Sequence, residues 1–179
     1  MTTAGSLYGR SLYELAAEEQ LEERILQQMK IVNTLFQENP DYIVLLSEPS
    51  IPKKERIRLA EEAFREDCEP YLVNFIELLL ENGMLREFPS ALRAFREEYN
   101  RAHGIAEAVV VSAVALDDVQ KAELRAKLEK MSGKSVELTE KLDPEVLGGL
   151  RVEMEGMLYD GTVQSRLNTL RKKLDEAVI

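Results

Sequence analysis

The hydrophobic pattern of this 179-residue chain changes its period at Gly104. Before that glycine, apolar residues recur at helical spacing. Leu7, Tyr8, Ser11, Leu12, Leu15 and Ala16 fall on one face, with Arg10, Glu14 and Glu18 turned away, and a second set follows at Leu21, Ile25, Met29, Val32 and Phe36. After it, Ala106 to Leu116 is dense in valine, which favours a buried strand. A helix pattern cannot serve as a strand, so the chain reads as two domains: a helical bundle over 1–104 and a small α+β domain over 105–179. The predicted fold class is mostly α.

Punctuation refines the helical half. Pro40 follows the second helix, and a short apolar segment, Tyr42 to Leu46, runs into a loop holding Pro49 and Pro52. Pro52 suits a helix start, where the first-turn N–H has no partner anyway, and Lys54 to Arg65 follows with Ile57, Ala60 and Phe64 inward. Pro70 opens a helix over Tyr71 to Asn82 that Gly83 closes, and Ser90 to His103 makes the last one. In the second half, Asp117 with Gln120 three residues on predicts a capping box for a helix from Asp118 to Ser132, ended by Gly133. Strands are expected at Val136–Leu138, Leu150–Met154 and Met157–Tyr159, and a final helix from Thr162 ends in Arg171, Lys172 and Lys173. Paired Gly148-Gly149 marks a strand start or bulge that a Cβ would obstruct.

Charge and composition exclude several functions. The formal net charge is −10. Residues 1–104 hold 12 Lys+Arg against 19 Asp+Glu, so the bundle alone carries −7 and prefers a neutral or basic partner. Nucleic acid and anionic membranes are poor partners for such a surface. The longest apolar run, Ala108 to Leu116, falls far short of the roughly 20 residues of a membrane span, so direct membrane insertion is not expected. The first residues show no secretory signal pattern, and a lone cysteine, Cys68, allows no internal disulfide framework, so a cytoplasmic setting is expected.

The motifs that would carry chemistry fail on inspection. Gly133-Lys134-Ser135 resembles the end of a phosphate-binding loop, but the glycine required five positions earlier is Leu128. His103 is the only histidine, too few soft ligands for an ordinary zinc site. Cys68 lies in Glu66-Asp67-Cys68-Glu69, whose carboxylates raise a thiol pKa. Expected, therefore, are no catalytic residues, no metal, no cofactor and no small-molecule ligand. One helix stands out: Tyr71, Leu72, Val73, Phe75, Ile76, Leu78, Leu79 and Leu80 cover nearly its whole circumference. Either the bundle buries it on all sides or a partner helix lies beside it, and the sequence divides these evenly. On the first helix, small Ala4, Gly5, Gly9 and Ser11 would let a foreign helix approach closely.

From Val136 to Glu153 the chain reads V-x-L-x-x-x-L-D-x-x-V-x-G-G-L-x-V-E, followed by D-G-T-V-Q-S-R-L over Asp160 to Leu167. The first segment resembles, position for position, the C-terminal signature of the delta subunit of F-type ATP synthases, the family of the mitochondrial oligomycin-sensitivity-conferring protein, and the second is similar to that family's D-G-S-V-x-x-R-L. Tyr8 to Ala16 is similar to that family's Y-A-x-A-L-F-x-L-A, with Gly9 and Ser11 in place of alanines, and Glu81-Asn82-Gly83 followed by Leu85 fits as well. The resemblance implies a six-helix N-terminal bundle that receives N-terminal helices of alpha subunits, and a C-terminal α+β domain that holds the ends of the peripheral-stalk b subunits. It implies a non-catalytic stator role, resisting rotor torque during proton-driven ATP synthesis, as a peripheral protein on the cytoplasmic face of the bacterial plasma membrane. By position, the alpha-binding groove would take Tyr8, Ser11, Leu12 and Leu15 from the first helix and Phe75, Leu78, Leu79 and Asn82 from the fifth. Arg166, Leu167, Leu170 and Leu174 would face b, and Gly148, Gly149, Asp160 and Gly161 form the structural signature. A helical adaptor for some other amphipathic helix is the alternative reading.

Overall fold

The structure, a computed structural model, describes residues 4–146 and 148–162. The chain divides into two compact units, Met1–Asn100 and Arg101–Ile179, the division falling inside the last turn of a helix. Among the described residues it is mostly helical, with one four-stranded mixed sheet.

Six helices occupy the first part: α1 (Ala4–Glu18), α2 (Glu22–Glu38), α3 (Pro40–Ser47), α4 (Lys53–Phe64), α5 (Pro70–Glu81) and α6 (Phe88–His103), the last preceded by a 3-10 turn at Leu85–Glu87. The apolar segment around Tyr42 is thus a full helix, α3, opened by Pro40 in its first turn, where proline's missing N–H costs nothing. One core joins all six helices. Its centre is aromatic: Phe36 meets Phe64 edge-on at 5.9 Å and Phe88 at 5.3 Å, and Phe88 lies 6.3 Å from Phe75. Helix α5 stops as its glycine predicts. Gly83 takes φ +67°, its N–H donates to the Leu80 carbonyl at 3.1 Å, and the Met84 N–H donates to Leu79 at 2.7 Å.

In the second unit, β1 (Ile105–Ser112) leads through α7 (Asp118–Ser132) to β2 (Ser135–Leu142), followed by β3 (Leu150–Met154) and β4 (Met157–Asp160). The sheet order is β2-β1-β3-β4, with β1 and β2 parallel and the other pairs antiparallel. Alternate residues of β1 (Ala106, Ala108, Val110) and of β3 (Val152, Met154) are buried with Val136 of β2 and Leu128 of α7, which places α7 on one face of the sheet. β2 runs four residues past the predicted Leu138, because parallel pairing with β1 continues to Ser112↔Leu142 through a polar stretch with no alternation to read. β1 in turn stops at Ser112, and the apolar residues after it belong to the loop before α7.

Local chemistry locks α7 in place. The Gln120 N–H donates to Asp117 Oδ1 at 2.7 Å, and the Asp117 N–H donates to Gln120 Oε1 at 3.1 Å, the expected capping box. Asp117→Ala should therefore lower the unit's stability by about 1 kcal/mol. Chemical denaturation read through the sheet unit checks this. The Glu140 carboxylate accepts from the Leu116 N–H at 2.6 Å and pairs with Lys121 at 3.0 Å, contacts that hold its pKa below the usual carboxylate value. β2 forms one edge of the sheet. There the Val136 N–H, on the side away from β1, donates to Glu129 Oε1 of α7 at 3.2 Å.

Candidate partner-binding surface

The buried stripe of α1 is Gly5, Gly9, Leu12 and Ala16, rotated from the face that apolar spacing alone selects. Leu7, counted on the inner face from sequence, is 61% exposed. The cause is α6. A Cβ on Gly9 would sit 2.2 Å from the Ala91 carbonyl oxygen, and one on Gly5 would sit 2.8 Å from Glu87 backbone and side-chain atoms. The small residues of α1 do permit close approach, but what approaches is the protein's own chain: the 3-10 turn at Glu87 beside Gly5 and α6 at Ala91 beside Gly9. Tyr13 packs edge-on against Phe95 at 5.4 Å, Ser6 and Ser90 hydroxyls are 3.3 Å apart, and Arg10 pairs with Glu98 at 3.3 Å along the same seam.

The other flank of α1 meets α5. Helix α5 commits Leu72, Val73, Phe75, Ile76, Leu79 and Leu80 to the core, which accounts for most of its apolar circumference. Leu78 is the exception, 39% exposed, and Leu15 of α1 is exposed to the same degree. The eight residues expected to form a groove thus fall into two layers. Leu12, Phe75 and Leu79 are core residues, so they support a surface from beneath and do not line it. Tyr8 is half-buried against that core, while Ser11, Leu15, Leu78 and Asn82 are exposed. Asn82 holds the end of α5 by donating from Nδ2 to the Leu78 carbonyl at 2.8 Å. Further exposed apolar residues, Ile31 and Leu35 on α2 and Val44 and Leu45 on α3, went unnoticed in the sequence because helical spacing alone does not say which side of an apolar stripe the core takes.

Burial, and then the neighbouring Asp67 carboxylate, push the Cys68 thiol pKa up, so this sulfur is not an activated nucleophile. Among the described residues no cluster of three metal-ligating side chains occurs, and no helix is long and apolar enough to cross a membrane.

The glycine signature of the second unit has a steric explanation. Gly149 takes φ +85°, and a Cβ there would lie 2.5 Å from the Gly161 carbonyl oxygen and 2.9 Å from the Thr162 Cα. Gly161 itself donates its N–H to the Leu150 carbonyl at 2.9 Å. Asp160 Oδ1 accepts from both the Thr162 N–H at 3.0 Å and its hydroxyl at 2.7 Å, and these bonds lower the Asp160 pKa. Gly148, also at positive φ, completes the turn into β3. Arg166, Leu167, Leu170 and Leu174, together with the expected final helix, lie outside the described residues.

Comparisons with known proteins agree on one family. The profile described as ATP synthase delta (OSCP) subunit matches residues 5–174. The ATP synthase subunit delta of Acidiphilium cryptum is 34% identical over 165 residues, covering 92% of this chain and 84% of that protein. Its counterpart from Clostridium kluyveri is 28% identical over 92% of this chain and 91% of its own length. Among solved structures, a chain in the mitochondrial ATP synthase hexamer of Toxoplasma gondii shares the fold at a TM-score of 0.76, with 15% identity over 96% of this chain and 97% of that one.

Proposed function

The chain belongs to the ATP synthase delta (OSCP) subunit family, and from that premise we propose that its helical unit receives the N-terminal helix of an α subunit between α1 and α5. Members of the family are non-catalytic, peripheral-stalk components of F-type ATP synthases, and their partners are other subunits of that membrane-associated complex. The finer assignment rests chiefly on one observation. On two helices that pack together, Leu15 of α1 and Leu78 of α5 are each 39% exposed, and α1 exposes Leu7 as well. Exposed apolar side chains gain free energy only when something covers them, about 1 kcal/mol for each half-exposed leucine.

In this reading the six helices form the family's bundle and cap the catalytic head. The second unit holds the ends of the b subunits, with Arg166, Leu167, Leu170 and Leu174 as its contact residues. Head and stalk are thereby tied, and the α/β ring cannot follow the rotor while ions drive synthesis. A tether of this kind must outlast many rotations, so slow dissociation matters more than fast association. The complex places the subunit on the cytoplasmic face of a bacterial plasma membrane, attached peripherally.

Leu78→Glu tests the groove. Because Leu78 is already exposed, the variant should melt like the parent protein. Under a docked helix, however, the new carboxylate is desolvated without a partner, and affinity for a peptide spanning the α N-terminal helix should fall by at least ~100-fold, about 2.7 kcal/mol. Isothermal titration calorimetry reads this directly. Undiminished binding by the variant would remove the groove assignment while leaving the family intact.

A further inference from the structure

We propose that Met157 is a site of reversible oxidation by peroxide, and that its sulfoxide tightens the β3–β4 hairpin through the Tyr159 hydroxyl. The inference concerns the sheet unit alone and stands whether or not a helix docks on α1 and α5. Residues 101–179 hold three methionines, Met131, Met154 and Met157. Met154 is buried in the core, whereas Met131 and Met157 are 60% and 57% exposed. An oxidant in water therefore reaches two of these sulfurs readily and the third only on opening. Met157 is further distinguished by a donor: the Tyr159 hydroxyl points at its Sδ from 3.9 Å.

The fold fixes both partners. Glu155 and Gly156 take φ +51° and +77°, the left-handed pair that a two-residue hairpin turn requires, so the backbone on entering β4 is set. Lys134, just before β2, pairs with Glu155 and ties that turn down. Tyr159 lies opposite Val152 in register and packs against the sheet core, which holds its hydroxyl near the sulfur. The reaction itself is an oxygen transfer. A sulfur lone pair attacks the peroxide, the O–O bond breaks as the S–O bond forms, sulfur loses two electrons, and the peroxide leaves as water. A thioether is a weak acceptor, and oxidation converts it into a polar sulfoxide. An oxygen added on the Tyr159 side occupies the long gap at that contact and receives a full hydrogen bond. At Met154 the same polar group would enter the core and disrupt packing. Met157 lies outside the core, so that loss does not arise.

The test uses the whole chain and dilute hydrogen peroxide. Peptide mass spectrometry should find Met157 converted at least about tenfold faster than Met154, and methionine sulfoxide reductase should reverse it. Equal rates at the two positions overturn the site. The structural half is read by amide exchange in β3 and β4, in a Met131→Leu background that leaves Met157 as the exposed methionine of the sheet unit. Oxidation should slow that exchange about threefold, the protection expected of one added hydrogen bond. Tyr159→Phe keeps the ring and removes the donor, so its exchange should not slow on oxidation. Met157→Gln carries a neutral carbonyl acceptor at similar reach and should reproduce the slowing without peroxide. Unchanged or faster exchange in the oxidised Met131→Leu protein overturns the proposal, and so does equal slowing when Tyr159→Phe is added.

Discussion

Gly9→Val should remove about 3 kcal/mol from the stability of the helical unit. Glycine inside a helix costs about 1 kcal/mol relative to alanine, so its presence in the middle of α1 needs a reason. The reason is the Ala91 backbone: a Cβ at position 9 would lie 2.2 Å from that carbonyl oxygen and 2.8 Å from its C and Cα. Backbone cannot rotate away as a long side chain would. Added carbon must therefore push α1 and α6 apart along the seam that also holds Tyr13, Phe95, Arg10 and Glu98. Overpacking of this kind costs about 1–3 kcal/mol, and a branched residue falls at the upper end. Ser11→Val is the control, being on the same helix but exposed, and it should change stability by no more than about 0.5 kcal/mol. Urea denaturation of both variants decides. A Gly9→Val midpoint equal to that of Ser11→Val would mean the helices are not in contact there.

Gly149→Ala is expected to be nearly as damaging, in the other unit. Two effects add: an alanine at φ +85° is strained, and its Cβ would stand 2.5 Å from the Gly161 carbonyl oxygen. Gly133→Ala separates them, because Gly133 ends α7 at φ +70° with open space around the missing Cβ. The control should cost about 1 kcal/mol, the conformational part alone, and Gly149→Ala about 3 kcal/mol. Amide exchange in β1 and β3 is the suitable measurement, since it isolates the sheet from the helices. Equal protection in the two variants would show that the approach of residues 149 and 161 contributes nothing.

These glycines also mark where the sequence was readable and where it was not. The capping box at Asp117 and Gln120, the stop at Gly133 and the end of α5 at Gly83 could all be read from the sequence, because each depends on residues within a turn of one another. The inner face of α1 could not. Leu7 carries hydrophobic weight and Gly5 carries none, yet the structure exposes the leucine and buries the glycine. Only the position of Glu87 and of α6 behind it, more than seventy residues away in the chain, decides between them. Helix α5 illustrates the same limit: its apolar surplus was plain, but that six of its residues face inward and Leu78 does not is a property of the packing. The extent of β2 was hidden for a related reason, since its outer half is polar and is held by β1. For the second unit's signature glycines, the sequence announced a tight backbone contact and the fold supplied the other half, the carbonyl of Gly161.

The edge of the sheet at β2 bears on how such a subunit waits for its assembly. An eight-residue border strand is a template on which another copy could add by backbone pairing, and chains awaiting partners are most exposed to that hazard. Here Glu129 occupies the outward N–H of Val136, and Glu137, Glu140 and Lys141 punctuate the rest of the strand with charge. The opposite border, β4, is only four residues long. Among the described residues, one rim thus carries charge and the other is short, both features that disfavour strand-to-strand addition of a second copy before assembly.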